Sequence, residues 1–338
     1  GATILAKTLD MHISLDMLTH KAIELKKQNL VYEIRTAMEM GADYKEIKEK
    51  IIELENAGLN KDLAIGSKQA VIDALDRLQR KKELGIELDV GWHRFDKKFG
   101  GLHRGDLMSI GGRTGHGKTN LALNMALRIL RKGKKVLFFN VEMSEDELIY
   151  RLFCMEKGIN SEKIRNLDLS EIEWDMLAKA GNEVSKYNLN LYCHGSIKTS
   201  HIDYLIKRYQ PDVVFVDYIQ ALTDTQGKES RAQHLSNISR SLKILARENN
   251  VCMIALSQLN RGIEYRADKT EGEKDPELSD IKESGGIEEA SDIVLLIWKY
   301  FKEGTNYLNV KVAKNRHGES NVGLQFEFNV ENLILREI

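Results

Sequence analysis

The chain has 338 residues, 42% hydrophobic and 30% charged, which suits a soluble globular protein with a large core and about two domains. Its 50 Lys and Arg against 51 Asp and Glu leave a net charge of −1, so no global basic field points to nucleic acid and any such site must be local. No apolar run reaches membrane-spanning length and no signal peptide precedes the first helix, which argues against a membrane partner. Cys154, Cys193 and Cys252 stand far apart in apolar runs and read as reduced core residues of a cytoplasmic protein. The chain opens on Gly1 rather than Met, so a processed start is expected.

Residues 1–60 predict a helical hairpin. Leu15, Leu18, Ala22 and Leu25 recur at helical spacing, and Ile34 and Met38 continue that face to Gly41. Asp43 with Glu46 predicts a capping box for a second helix, with Ile47, Ile51 and Leu54 on one stripe and a stop at Gly58. Residues 61–86 predict a linker helix, centred on about 67–82, with Val71, Leu75 and Leu78 on one side. None of these helices buries its stripe alone. Two readings stay open: a small bundle packed on its own following domain, or a helix that docks on a neighbouring subunit.

Residues 87–338 alternate strand and helix, which predicts an α/β domain with a mostly parallel central sheet flanked by helices. Strands are expected at 106–110, 135–141, 189–193, 212–217, 251–257, 292–298, 308–313 and 324–329. Helices are expected at 120–130, 144–157, 170–186, 201–209 and 232–249. The polar stretch 260–278, with Pro276 and many charges, predicts a mobile loop.

Between the strand at 106–110 and the helix at 120–130 stands Gly112-Arg113-Thr114-Gly115-His116-Gly117-Lys118-Thr119, which fits G-x-x-x-x-G-K-[ST]. Strand, glycine-rich loop and helix are the setting this motif needs. The glycines let backbone N–H groups turn inward around a phosphate chain, and the helix N-terminus adds partial positive charge. Lys118 would reach the terminal phosphates and the Thr119 hydroxyl would hold Mg²⁺. A chance Lys-Thr after a turn is the bland alternative, and the flanks count against it.

Three further strands end on polar residues. Asp217 closes Val213-Val-Phe-Val216, where a carboxylate beside a phosphate loop can hold the water shell of Mg²⁺. Glu142 follows the strand at 135–141 and could polarise an attacking water as general base. Gln258 follows the strand at 251–257 and could sense a γ-phosphate by hydrogen bonding. Singly, these could be a turn-capping Asp, a helix-opening Glu and an ordinary strand-end Gln; together on one sheet edge they carry more weight. Lys314 and Arg316 form a Lys-x-Arg after a late strand. Such a pair is usually just solvated, but phosphoryl transfer gains from a charge-neutralising finger. The residues alone leave open whether Arg316 would serve its own site or a neighbour's.

The segments Gly112–Thr119, Val141-Glu-Met-Ser144, Val216-Asp-Tyr218, Leu256-Ser-Gln258 and Ala313-Lys-Asn-Arg-His-Gly318 occur in this order. Between the last two stands Leu278-Ser-Asp-Ile-Lys-Glu-Ser-Gly-Gly-Ile-Glu-Glu-Ala-Ser-Asp292, more specific than the phosphate loop. Together they resemble the motor domain of DnaB-type replicative DNA helicases, within the RecA-like ATPases. The resemblance is close over about residues 60–338 and looser over the first hairpin.

The resemblance implies a RecA-like fold, ATP with Mg²⁺, single-stranded DNA, a homo-hexamer, primase and loader partners, and 5′-to-3′ movement. It implies phosphate and Mg²⁺ roles for Lys118 and Thr119, a catalytic role for Glu142, a metal-linked role for Asp217 and a γ-phosphate sensor in Gln258. Arg151 stands where the family has an arginine near the nucleotide base. Lys314 and Arg316 match a lysine and an arginine finger offered to the adjacent subunit's ATP. Lys282, Glu283 and Gly285 match the loop that tracks DNA phosphates.

Four features depart from the family pattern. Lys282 stands where members often have Arg, which turns a bidentate contact into a point charge. Gly115-His116 differs from the usual bacterial pair. The 260–278 loop is longer than usual, and the globular domain expected before the hairpin does not fit in this chain, so a truncated or phage-type relative is expected. The rival readings are a RecA-like recombinase, an oligomeric signalling or clock-type ATPase, and a non-hydrolysing nucleotide-binding scaffold. The Ser-Asp-x-x-Glu-Ser-Gly run counts against the first and Glu142 against the last. Nucleotide-dependent binding of single-stranded DNA separates the helicase from the second.

Overall fold

The computed structural model describes residues 67–224, 230–259, 276–280 and 285–338, with Glu33 described singly. The hairpin expected over residues 1–60, most of the 260–278 loop, and Lys282 and Glu283 lie outside the described residues. The chain divides into two units, Gly1–Glu83 and Leu84–Ile338. In the first, helix α1 (Ser67–Leu84) is tied along its surface by Gln79 Nε2 donating to Glu83 at 2.9 Å. Its Val71, Leu75 and Leu78 are exposed.

The second unit is built on one nine-stranded sheet in the order β3-β2-β4-β5-β1-β6-β7-β8-β9. The strands are β1 (Leu107–Gly112), β2 (Val136–Asn140), β3 (Leu189–Tyr192), β4 (Val213–Asp217), β5 (Cys252–Gln258), β6 (Ile293–Lys302), β7 (Thr305–Asn315), β8 (Val322–Phe328) and β9 (Leu335–Glu337). Pairing from β3 through β6 is parallel, and from β6 through β9 antiparallel. The inner strands β2, β4 and β5 read as largely apolar runs because both their faces are covered. In β4, Val213 and Phe215 enter one core layer while Val214 and Val216 enter the other, the two-residue alternation of a strand made visible.

Helices cover the faces: α2 (His93–Phe99), α3 (Lys118–Arg131), α4 (Glu145–Lys157), α5 (Ser161–Asn166), α6 (Glu171–Val184), α7 (Thr199–Tyr209), α8 (Arg231–Glu248) and α9 (Gly285–Ala290). Capping chemistry fixes where several begin. Ser144 and Glu147 form a reciprocal box at α4, and Ser170 and Glu173 form one at α6. Cys154 and Cys252 are buried and Cys193 is half-buried, all as free thiols. Among the described residues no helix is long and apolar enough to cross a membrane.

The structure departs from the sequence expectation in four short elements and one long hairpin. Helices α2, α5 and α9 and strand β9 are each seven residues or fewer, too short for periodicity to announce them. The β6–β7 hairpin runs past its buried part, from Lys302 to Thr305, through Glu303 and Gly304 at φ +50° and +80°. Both residues in the left-handed region make a turn that matches strand twist. The apolar signal stopped at residue 298 because beyond it the strand is largely solvated.

Candidate active site

The phosphate loop connects β1 to α3, at the sheet edge formed by the C-terminal ends of the parallel strands. Gly117 precedes the helix at φ +90°, a conformation a side chain would strain. Gly112 has a different need: a Cβ there would stand 2.7 Å from Ile297 Cγ1 and 3.0 Å from Lys118 Cγ. The same edge holds Glu142 just after β2, Asp217 at the end of β4 and Gln258 at the end of β5. The parallel register aligns these ends, because Asn140 pairs with Asp217 and Gly112 with Gln258.

The cleft there has a volume of about 460 Å³ and is lined by Thr114, Gly115, Gly117, Lys118, Thr119, Glu142, Arg151, Asp217 and Gln258 among others. Lys118 Nζ donates to the carbonyls of Gly112, at 2.8 Å, and Arg113, at 3.0 Å, which folds it over its own loop. Burial pulls its pKa down, against the attraction of Asp217 and Glu142. Thr119 Oγ1 donates to Asp217 Oδ2 at 2.6 Å. Burial pushes the Asp217 carboxyl up to about 6; the Thr119 hydrogen bond opposes this and the Glu142 charge adds to it. Gln258 Nε2 donates to Thr114 Oγ1 at 2.6 Å, joining β5 to the phosphate loop. His116 is half-buried, and its pKa is lowered first by burial and then by Arg113, Lys299 and Lys118.

Sequence reasoning missed several residues of this cleft. Asn140 is fully buried at the end of β2. Its Oδ1 accepts from the backbone N–H groups of Glu142 (2.9 Å) and Met143 (2.7 Å), while its Nδ2 donates to Asp217 Oδ2 at 3.2 Å. It therefore sets the turn that carries Glu142. A polar residue closing the apolar run Val136-Leu-Phe-Phe139 was the signal that could have found it. Gln220 Oε1 accepts from Gln258 N at 3.3 Å, and its Nε2 donates to Ser257 Oγ at 2.8 Å. Lys299 and Phe328 also line the cleft, with Lys299 Nζ 5.2 Å from the ring centre. They sit in the antiparallel half of the sheet, and nothing in their local sequence announces them.

Lys314 and Arg316 are not brought to this cleft. Asn315 pairs with Ile293, which lies at the start of the β6–β1 ladder, where Ile293 meets Met108. Gly112 is beside Ile297, four residues farther along, or ~13 Å at strand rise. Arg316 thus stands at the edge formed by the N-terminal ends of the parallel strands, opposite the phosphate loop. There its Nη1 donates to Asp292 Oδ1 at 3.1 Å and its Nη2 to the Glu289 carbonyl at 3.3 Å. Lys314 Nζ donates to the Glu288 carbonyl. Burial and the Arg316 charge lower the Lys314 pKa, against the pull of Glu288, Asp292 and Glu289. Gly285, the described member of the expected DNA loop, opens α9, whose C-terminal end these two cations meet.

The residues fit a magnesium–nucleoside triphosphate. A hydroxyl and a carboxylate stand side by side, a lysine reaches over the glycine loop, and Arg151 and Lys299 add positive charge around the same cleft. Strand order and cleft together define a RecA-like domain of the phosphate-loop nucleotide-binding class.

Residues 87–333 match the model of the DnaB-like helicase C terminal domain. The chain belongs to that family. It is 34% identical over 257 residues to the replicative DNA helicase DnaC of Bacillus subtilis (strain 168), an alignment covering 73% of this chain and 56% of that protein. Identity to the replicative DNA helicase DnaB of Geobacillus stearothermophilus is also 34%, with the same coverage. The chain therefore spans little more than half the length of these relatives. Among solved structures, an ATPase domain superposes with a TM-score of 0.73 at 30% identity, over 81% of this chain and all of that one. A DnaB-like replicative helicase studied with its primase interactions superposes at 0.74 and 26% identity, over 93% of this chain and 75% of that one.

Proposed function

We propose that this chain is the ATP-driven motor of a replicative DNA helicase, which moves 5′-to-3′ along single-stranded DNA and separates duplex ahead of it in a ring of six. Glu142 takes a proton from the water that attacks the γ-phosphorus, and ADP leaves. Lys118 and the loop N–H groups hold the phosphates, and Gln258 reads the γ-phosphate. Thr119, and Asp217 through water, would hold Mg²⁺, which would supply positive charge against the phosphates. Arg151 lies toward the base. Lys282, Glu283 and Gly285 follow the DNA backbone, with specificity for strand form rather than base. The relatives' names support the activity, and the primase named with one structural neighbour supports primase as a partner; a loader completes the expected set. Family membership does not favour the recombinase or signalling readings.

The observation that carries the reading is the separation of Arg316 from Lys118 onto opposite sheet edges. An arginine placed there cannot serve its own phosphate loop and is free to serve a neighbour's. A guanidinium suits that role because it is always charged and offers forked donors. Arginine fingers contribute about 10³–10⁵ in rate. Arg316→Ala is expected to bind ATP almost normally and hydrolyse it slowly. Mixed with Glu142→Gln protein, it should regain turnover, since some interfaces then pair an intact Glu142 with an intact Arg316. ATPase rates across mixing ratios, with and without single-stranded DNA, test this. No recovery after confirmed subunit exchange refutes a finger supplied by the neighbour.

A further inference from the structure

We propose that Asp292 is the positioning residue for Arg316: it holds the guanidinium in the attitude from which it meets the neighbour's γ-phosphate. This rests on the finger role proposed above.

Asp292 precedes β6 and is 3% exposed. Its two carboxylate oxygens have different tasks. Oδ2 accepts from Leu107 N, at 2.9 Å, and from Lys243 Nζ, so it is bolted to the first residue of β1 and to α8. Oδ1 takes Arg316 Nη1 at 3.1 Å. The main chain repeats the tie, since Arg316 N donates to the Asp292 carbonyl at 2.9 Å. One residue thus fixes both the root and the tip of Arg316. The third point is the Glu289 carbonyl on α9. That helix lies directly on α8, because a Cβ at Gly286 would stand 2.3 Å from Ser236 Cβ.

A buried carboxylate needs a cation, and Lys243 supplies one at 2.5 Å while also standing 3.6 Å from Asp106. Burial alone would raise the Asp292 pKa. The hydrogen bonds from Lys243 and Leu107 N, with the charges of Lys243 and Arg316, hold it below the usual range. Arg316 is thus a second cation on Asp292, held on the carboxylate oxygen that Lys243 leaves open. Its own side chain is 51% exposed. Among the described residues, two of its guanidinium N–H groups are held, by Asp292 and the Glu289 carbonyl, and its remaining donors are open to another ligand. Such a long side chain loses much rotamer freedom when ordered, and ordering it beforehand spares that loss at the moment of reaction.

The test is a double-mutant cycle on the assembled protein at saturating ATP. Asp292→Asn keeps an acceptor for Leu107 N but weakens the charged tie. It should lower kcat with KM for ATP unchanged, by about 10- to 100-fold, taking as the scale the loss seen when the group that orients a metal ligand is removed. Asp292→Asn with Arg316→Ala should be no slower than Arg316→Ala alone. Mixed with Glu142→Gln protein, Asp292→Asn should regain turnover, because its own phosphate loop is intact and the neighbour brings a well-held finger. A merely structural carboxylate would give additive losses and no rescue, and either result overturns the proposal. Unchanged kcat in Asp292→Asn beside a slow Arg316→Ala overturns it while leaving the finger role standing. Normal kcat in Arg316→Ala removes both. If Asp292→Asn does not fold, Asp292→Glu, which keeps the charge and displaces the tip, must give the same non-additivity and rescue.

Discussion

Thr119 and Asp217 share a 2.6 Å hydrogen bond, although 98 residues separate them in the chain. The bond spans β1 and β4, two strands held apart by β5, and it joins the start of α3 to the end of a buried strand. Both groups are the ones a magnesium ion bound with a nucleotide would draw on. Their contact means the pair is assembled by the sheet itself, and the Asp217 charge is held at a cost.

That cost gives a pH prediction. The Asp217 carboxyl is raised from 3.8 to about 6, chiefly by burial. Between those values the folded state keeps a proton that the unfolded chain has released. Stability therefore falls as pH rises through that window, and the loss is complete above it. Asp217→Asn, which keeps an oxygen for Thr119, should raise unfolding free energy near neutral pH by on the order of 2–3 kcal/mol. The gain should vanish below about pH 4, where the carboxyl is protonated in both states. Denaturant unfolding without nucleotide measures it; an equal gain at both pH values would show that charge burial is not the cause.

Lys118 and Glu142 should separate binding from turnover. Lys118→Ala should lose nucleotide affinity and hydrolysis together, because the β- and γ-phosphates lose their cation. Glu142→Gln should bind ATP and turn it over about 10²–10⁴-fold more slowly, since an amide cannot take the proton. A near-normal rate in Glu142→Gln would remove that residue from the chemistry.

Lys282→Ala should weaken single-stranded DNA binding without changing base preference. If the lysine meets a phosphate, the slope of log affinity against log salt should fall by about 0.7 for each phosphate no longer neutralised. Fluorescence anisotropy titrations over a range of salt concentrations read this directly. An unchanged slope would place the DNA path elsewhere.

The exposed stripe of α1 predicts an effect on assembly. Leu75→Glu and Leu78→Glu should reduce the oligomer fraction in sedimentation experiments, because a charge would have to be desolvated at a subunit contact. The helical signal in circular dichroism should stay the same. An oligomer of undiminished stability would assign the stripe to some other surface.

The sheet was legible because its inner strands β2, β4 and β5 are largely apolar runs that close on a polar residue, as Val213-Val-Phe-Val216 ends on Asp217. The phosphate loop was legible for the same reason, a fixed spacing between strand and helix. What the linear chain could not tell was which edge Arg316 would occupy. That depends on Asn315 pairing with Ile293 in an antiparallel ladder, a non-local register that a short strand pattern does not specify. Asn140 stayed hidden too, because its task is to hold the turn before Glu142, and a single amide in an apolar run carries no motif.

The placement of Lys118 and Arg316 on opposite edges of one sheet gives the chain two unlike ends. One holds the nucleotide cleft and the other a cation, so the contact proposed for Arg316 would join unlike surfaces. Such a contact would be heterologous, and would repeat head-to-tail until rotation closed it into a ring or pitch opened it into a filament. Every subunit would then face the same way around the axis. An assembly built on that contact would take its direction from the pairing of β6 with β7, which sets the edge that Arg316 occupies, before any DNA strand entered it.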